Sequence, residues 1–293
     1  MNIDQLTRIF CQADDFCKEF NSYTSCLCLP SALPPRFHRG PKCSLSESEI
    51  MTLLILFQSS GWRNFKHFYL HFLGVYFKDA FPHLPSYHRF IEIMNRVLIP
   101  LSLFAQLYGG KATGLYYIDS TCLPVCHLKR SKRHKSFESL ASYGRTSVGW
   151  FFGLKLHLVI NQRGELMAFK LTRAHQNDAK AGESLLESLK GLAFGDKGYI
   201  SQALFERLLE KGLKLITRVR KNMKPAHYSG LEKQLLNRRG IIETVIHHLK
   251  HHYQIWHTRH RSVVNAMTHL VAGMAAYAME PLKLSAFKLL AAS

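Results

Sequence analysis

The hydrophobic pattern of the first part of the chain is helical. Apolar side chains in the opening segment recur three or four positions apart, the spacing of one helical face, at Ile3, Leu6, Ile9, Phe10, Phe16 and Phe20. The apolar run IMTLLILFQSS follows Ser44 and Ser46, and either serine would cap a helix that ends at Gly61. This pattern predicts two helices separated by a loop.

More helices are predicted before residue 110. One begins near Asn64, and a further helical region from Ser86 to Leu107 is expected to break at Pro100. Two helices joined across a Ser-Ser-Gly turn are compatible with a DNA-binding helix-turn-helix and equally with any small helical bundle. We therefore predict a helical N-terminal domain over residues 1–110, with DNA contact left open.

After residue 110 the pattern changes to short apolar runs with turn residues between them. Five strands are predicted: LYYIDST (115–121), WFFGLKLHLVI (150–160), ELMAFKLTRA (165–174), LAFGDKGY (192–199) and LKLITRVR (213–220). Three helices follow the third, fourth and fifth strands, the last of them spanning roughly 235–252. The order β-β-β-α-β-α-β-α predicts an α/β domain over residues 111–260, with helices on both faces of a mixed sheet. A C-terminal helical tail is expected over 261–293.

Composition and charge narrow the partner classes. Hydrophobic residues make up 47% of the 293, which excludes intrinsic disorder, and 39 Lys+Arg against 20 Asp+Glu give a net charge of +19. Such an excess points first to nucleic acid and second to an anionic membrane. The start resembles no signal peptide, and the apolar stretch Val263–Met279 is interrupted by polar residues, so a cytoplasmic, non-membrane protein is expected.

Three carboxylates stand out against the basic background. Asp119 and Asp196 each end an apolar strand, LYYID and LAFGD, and precede a turn, and active sites of open α/β sheets lie beyond the carboxyl ends of strands. Glu243 has Arg239 four positions before it and Lys250 seven after, so all three should share one helical face. Singly, each has a plainer explanation, since turn aspartates and surface ion-pair stripes are common.

Taken together, the carboxylates suggest a metal site. At a separation of 4 Å, each pair would repel by about 4 kcal/mol at an effective dielectric constant near 20. Cations would neutralise such a cluster, and hard oxygen ligands favour Mg²⁺ or Mn²⁺. Two ions would suit attack on a phosphodiester. The residues by themselves thus lead to a metal-dependent phosphodiester enzyme.

The same residues resemble bacterial insertion-sequence transposases of the DDE type, which have a ribonuclease H-like catalytic core. YIDST and FGDKGY look like the two Asp-bearing strands of that family, and GLKLHLVIN looks like its second strand. A family signature places Tyr, Arg, Glu and Lys at fixed spacing; Arg239, Glu243 and Lys250 match it, whereas Leu236 occupies the Tyr position. The resemblance covers about residues 110–255.

The resemblance implies a function and a site. It implies DNA cleavage at element ends and strand transfer, with Asp119, Asp196 and Glu243 as catalytic metal ligands for two Mg²⁺ or Mn²⁺ ions. It implies that Arg239 and Lys250 touch DNA near the cut. The expected partners are double-stranded DNA, as terminal repeats and as target, and further copies of the chain in a homo-oligomer on DNA.

Other polar residues have two interpretations each. A basic run after the first strand is either a solvated loop or a DNA-backbone contact: Lys129, Arg130, Lys132, Arg133 and Lys135. Lys197 and Tyr199 flank Asp196, where they would place a phosphate or simply be a surface and a core residue. His157 is expected on the polar side of its strand, and the alternative is a role near the metals. Zinc binding at Cys122, Cys126 and His127, or in the His-rich run His247, His248, His251, His252, His257 and His260, is the less favoured interpretation.

Two alternative functions remain open from the sequence. One is a DNA-binding regulator or decayed element without catalysis, against which all three carboxylates argue. The other is a ribonuclease H-like nuclease that cuts strands but does not join them, which the fold alone does not separate from a transposase.

Overall fold

The computed structural model describes residues 3–27, 44–219, 223, 227–256 and 260–283. The chain divides into two compact units. The first, here called the helical unit, comprises Met1–Leu107, His252–Ile255 and Val264–Tyr277. The second, here called the sheet unit, comprises Tyr108–His251, Trp256–Val263 and Ala278–Ser293.

Helices make up the regular structure described for the helical unit before residue 108. In chain order they are α1 (Ile3–Leu27), α2 (Glu47–Ser59), α3 (Phe65–His67), a π-helical turn (Phe68–Leu73), α4 (Gly74–Tyr76), α5 (Tyr87–Ile93), a 3₁₀ turn (Met94–Val97) and α6 (Leu98–Leu107). Of the two serines predicted as caps, Ser46 is the N-cap of α2. The Ser46 hydroxyl accepts from the Glu49 amide at 3.2 Å, and the Glu49 carboxylate accepts from the Ser46 amide at 2.6 Å.

The break predicted at Pro100 is wrong in its position. The helical path is interrupted earlier, at Met94–Val97, and Pro100 lies in the first turn of α6. A proline is tolerated there because its missing amide hydrogen would have no partner within the helix. Among the described residues, Tyr87–Leu107 is the stretch with the length and apolar composition of a membrane span, which by itself is weak support for one.

A six-stranded mixed sheet organises the sheet unit, which confirms the predicted α/β class. The strands are β1 (Leu115–Cys126), β2 (Ser142–Arg145), β3 (Trp150–Asn161), β4 (Leu166–Arg173), β5 (Gly191–Gly195) and β6 (Leu213–Thr217). Their order is β2-β3-β1-β5-β6, and β4 also pairs with β3. β1, β5 and β6 run parallel, whereas β3 is antiparallel to β1, β2 and β4.

Helices flank this sheet. In chain order they are α7 (Asp178–Leu186), α8 (Gln202–Glu210), α9 (Gly230–Asn237) and α10 (Gly240–His251). α7 and α8 bury Leu185, Leu204 and Leu208 against Tyr116 and Ile118 of β1. α10 also contacts β1, and Arg239 at its start bonds to Asp119, which alternates with Ile118 along the strand.

The single helix predicted over 235–252 is wrong, because the chain forms α9 and α10 with a break between them. The Arg238 amide bonds back to the carbonyls of α9, and the helix restarts at Gly240. Asn237 and Gly240 are poor helix formers and lie at this break. Arg239 therefore lies in a turn and not within a continuous helix. The last helix, α11 (Val263–Ala278), is mostly buried, as predicted for this apolar stretch.

The close pairing of β1 with β3 gives a first prediction. A methyl group at Gly153 would lie 2.2 Å from the Leu123 carbonyl oxygen, so Gly153→Ala must displace backbone. We expect a loss of about 2–4 kcal/mol in the free energy of unfolding, measured by chemical denaturation. The matched control is Gly230→Ala, where nothing lies within 4 Å of the added carbon. Equal stability of the two variants would contradict this packing.

Candidate active site

Asp119 lies in the middle of a strand and not at its end. β1 continues to Cys126 because the residues after Asp119 keep pairing with β3, as far as Leu123 opposite Leu154 and Pro124 opposite Gly153. The predicted strand end at Asp119 is therefore wrong. A register shift between Pro124 and Cys126 then bends the end of the strand.

Asp196 lies within one residue of its predicted place at the end of a strand. β5 ends at Gly195, and Asp196 starts the 3₁₀ turn Lys197–Tyr199. In the parallel pairing of β1 with β5, Gly195 is opposite Ile118. Asp196 and Asp119 are the residues that directly follow this pair. The charge of Asp196 contributes to raising the pKa of Asp119, as expected for carboxylates on adjacent strands.

The Arg239 guanidinium forms hydrogen bonds to both Asp119 and Glu243. Its Nη1 donates to Asp119 Oδ2 at 2.9 Å, and its Nη2 donates to Glu243 Oε1 at 2.5 Å. The side chains of Arg239 and Asp119 are each 16% exposed, whereas Glu243 is 59% exposed. The predicted spacing of Arg239 and Glu243 thus does bring their side chains together. The tertiary fold also brings Arg239 to Asp119, which is 120 positions earlier in the chain.

The pKa of Asp119 shows that its charge is costly in the fold. Burial raises this pKa from 3.8 to about 6, and the charge of Asp196 adds to the rise. Arg239 and the Ser120 amide lower the pKa but do not cancel the effect of burial. Asp119 is therefore a carboxylate that would gain from an additional cation.

A buried polar network supports the segment after Asp196. The Tyr199 hydroxyl lies 3.3 Å from His157 Nδ1 and shares a hydrogen bond with the side chain of Ser120, the neighbour of Asp119. His157 Nε2 lies 2.9 Å from Thr172 Oγ1. Burial raises the pKa of Tyr199 well above 10, and the nearby Asp178 adds to the rise. One tyrosine thus links the segments that follow the two aspartates.

The pattern of residues along the chain does not predict this network. Asp178 lies in the first turn of α7, and its Oδ1 accepts from Lys155 Nζ at 2.9 Å. His157 is fully buried rather than on a polar side, and burial lowers its pKa to about 4. The alternation LKLHL, with polar residues on one side of a strand, was the available signal. It does not reveal that a helix covers that side.

The remaining predicted residues are placed as follows. Lys197 is exposed beside Asp196. Lys250 is partly buried with its ammonium 5.6 Å from the centre of the Trp256 ring, and burial lowers its pKa. The basic run covers two 3₁₀ turns: Leu128–Arg133, in which Lys129, Arg130, Lys132 and Arg133 are exposed, and Lys135–Phe137, in which Lys135 is exposed.

A preformed metal cluster is not found. Within the described residues, no group of three or more His, Cys, Asp or Glu side chains is arranged to hold a metal ion. This covers Cys122, Cys126, His127 and the His-rich run, except His257, which lies outside the described residues. At the candidate site, a guanidinium lies between two of the carboxylates.

Comparison with known families places the chain. The sequence model described as "Transposase DDE domain" matches residues 109–263, more than half of the protein. The chain belongs to this transposase family. No curated protein and no solved structure matches it. The match includes all three carboxylates of this transposase, together with Arg239 and Lys250. Membership confirms the predicted resemblance and implies an enzyme that cleaves nucleic acid, from a family that generally uses divalent metals.

Proposed function

We propose that this transposase cleaves DNA at the ends of its element and transfers the strand to a target, using Asp119, Asp196 and Glu243 as metal ligands in a ribonuclease H-like core. The observation that carries the proposal is the bridge made by Arg239, whose guanidinium nitrogens lie 2.9 and 2.5 Å from Asp119 and Glu243. Asp196 adjoins Asp119 through the parallel pairing of their strands.

The donor set fits a divalent ion. Asp119, Asp196 and Glu243 supply carboxylate oxygens, which Mg²⁺ and Mn²⁺ prefer, and burial raises the pKa of Asp119 even with Arg239 beside it, so a further cation would stabilise its charge. A cation already lies between two of the carboxylates in the form of Arg239. Two bound ions would supply activation of the attacking water or 3′-hydroxyl and stabilise the leaving oxygen.

The residues of the chain have separate tasks in this proposal. At pH 7 Asp119 is largely ionised, since its pKa is about 6, and so presents two oxygens as ligands. Lys197, exposed beside Asp196, is suited to hold a phosphate of the bound strand. Tyr199 and His157 hold the segment after Asp196 against the sheet through their hydrogen bond.

Cleavage assays test this proposal. The protein with Mg²⁺ and a duplex carrying its own element end should cut the DNA, and Asp196→Asn should abolish cutting while binding is kept. A second duplex in the same reaction detects joining, which a nuclease would not show. If Asp196→Asn cuts as well as the parent, the metal assignment is wrong. Binding without cleavage by the parent would favour the regulator or decayed element.

The basic 3₁₀ turn carries a separate prediction about DNA affinity. Each phosphate contact that is removed should lower the slope of log K against log salt concentration by about 0.9. Replacing Lys129, Arg130, Lys132 and Arg133 by glutamine should therefore flatten the slope by up to about 3.6. The measurement is fluorescence anisotropy over a range of salt concentrations. An unchanged slope would mean that the turn is a solvated loop.

A further inference from the structure

Beyond the basic turn, the hairpin formed by β2 and β3 presents an unusual exposed surface. Tyr143 and Arg145 of β2 are exposed, and Trp150, the first residue of β3, is 60% exposed. The Arg145 guanidinium lies 5.9 Å from the centre of the Trp150 ring, within cation–π range. We call Tyr143, Arg145 and Trp150 the hairpin surface.

The basic turn is attached to this hairpin surface. Ser131, in the middle of the turn, lies with its hydroxyl 2.7 Å from the Tyr143 hydroxyl. Between residues 127 and 150 the chain has six Lys/Arg and one acid, Glu138. Positive charge therefore continues from the turn onto exposed aromatic rings, a combination that suits a nucleic-acid backbone and its sugars and bases.

The strand register shows where this surface lies relative to the candidate active site. Arg145 is opposite Trp150, and Asp119 is opposite Leu158, which is eight residues further along β3. Residues opposite each other in an antiparallel pair project to the same face, as do residues an even number apart. Arg145, Trp150 and Asp119 therefore share one face of the sheet.

The same register gives a distance. Eight strand residues span about 26 Å at about 3.3 Å per residue. Duplex DNA rises about 3.4 Å per base pair, so this distance corresponds to about seven or eight base pairs. A duplex cut at Asp119 and running along β3 would reach Trp150 at that separation from the cut.

We propose that the hairpin surface binds duplex DNA about seven or eight base pairs from the cleavage position, with Arg145 on a phosphate and Trp150 against the adjoining sugar. The proposal rests on the proposed function for the position of the cut. It adds a DNA-binding site to a part of the domain that lies outside the carboxylate site.

A test uses DNA length and substitution together. Element-end duplexes extend either about 4 or about 14 base pairs beyond the cut, on each side in turn, and binding is measured by anisotropy without metal. The parent should bind the longer duplex more tightly on one side. Trp150→Ala should lower the affinity for that duplex about tenfold and leave the affinity for the short duplex unchanged. Arg145→Gln should also lose the extra affinity for the longer duplex, and it should lower the slope of log K against log salt concentration by about 0.9.

Matched controls come from α8, which packs on the opposite face of the sheet. Leu209→Ala removes an exposed apolar side chain there, and Arg207→Gln removes an exposed guanidinium paired with Glu183. Both controls should bind the two duplexes as the parent does. A parent without any gain from DNA length, or hairpin variants that keep the full gain, would overturn the proposal.

The results distinguish a failure of the hairpin proposal from a failure of the proposed catalytic function. Because binding is measured without metal, loss of the length-dependent gain in the hairpin variants supports the site even if the parent fails to cleave. If the variants instead lose self-association in sedimentation and keep normal DNA binding, the hairpin surface is a contact between copies, and the DNA proposal is wrong. Binding to anionic vesicles with unchanged DNA affinity would overturn it equally.

Discussion

Asp119→Asn is expected to abolish DNA cleavage and, at neutral pH, to make the metal-free protein more stable. Removing a charged ligand should cost several kcal/mol of transition-state stabilisation, which corresponds to a rate loss of at least about a thousandfold. DNA binding should be retained, since Asp119 contributes no positive charge. The measurement is cleavage of an element-end duplex at saturating protein.

The stability gain follows from the pKa of Asp119, which is about 6 in the folded protein and 3.8 for an unperturbed aspartate. Between these values the folded state binds more protons than the unfolded state, so the contribution of Asp119 to stability falls as pH rises from about 4 to about 6. The full shift corresponds to about 3 kcal/mol. This figure already includes the favourable effect of Arg239, and asparagine leaves part of the hydrogen bonding of that guanidinium unmet, so a gain of about 1–2 kcal/mol at pH 7 is expected.

Comparing the parent with the variant at two pH values isolates this effect. His157 has the opposite dependence, because its pKa of about 4 makes stability rise as pH increases through the same range. That contribution is common to both proteins and cancels in their difference. Urea unfolding should show the gain of Asp119→Asn at pH 7 and none at pH 4.

Glu243→Gln is the matched control for Asp119→Asn. Glu243 is 59% exposed, so its substitution should impair cleavage without stabilising the fold. If both variants stabilise equally, burial of Asp119 is not the cause. Full activity in Asp119→Asn would remove this residue from the site altogether.

The parts of the fold that were predictable have local signals. β3, β4, β5 and β6 follow from apolar runs bounded by turn residues, and Asp196 follows from its place after LAFG. The contact of Arg239 with Glu243 follows from a spacing of four residues. In each case the determining residues are close together in the sequence.

The parts that were not predictable depend on distant residues. β1 continues past Asp119 because β3 offers it pairing partners, and β2 forms at SYGR because β3 pairs with it as well. Neither segment has a strong strand pattern of its own. The contact of Arg239 with Asp119, and that of His157 with Tyr199, join elements that only the tertiary fold brings together.

Arg239→Gln is expected to destabilise the metal-free protein and to increase its response to divalent ions. Arg239 is the cation that faces both Asp119 and Glu243, and breaking a largely buried ion pair typically costs about 3 kcal/mol. A lysine in the Arg239→Lys variant should restore this stability only in part, because an ammonium lacks the planar set of donors with which a guanidinium contacts two carboxylates. The control Arg207→Gln breaks an exposed pair and should cost at most about 1 kcal/mol.

The metal response distinguishes two roles of Arg239. If its guanidinium occupies the carboxylates until metal binds, Mn²⁺ should raise the melting temperature of Arg239→Gln more than that of the parent, because the oxygens of Asp119 and Glu243 are then available. In the parent, the hydrogen bonds of Arg239 to Asp119 and Glu243 must break before these oxygens can bind the ion. Release would free the guanidinium for the DNA contact predicted from the sequence, so Arg239→Gln should also weaken DNA binding when Mn²⁺ is present. An Mn²⁺ response equal to that of the parent would mean that Arg239 does not compete with the ion.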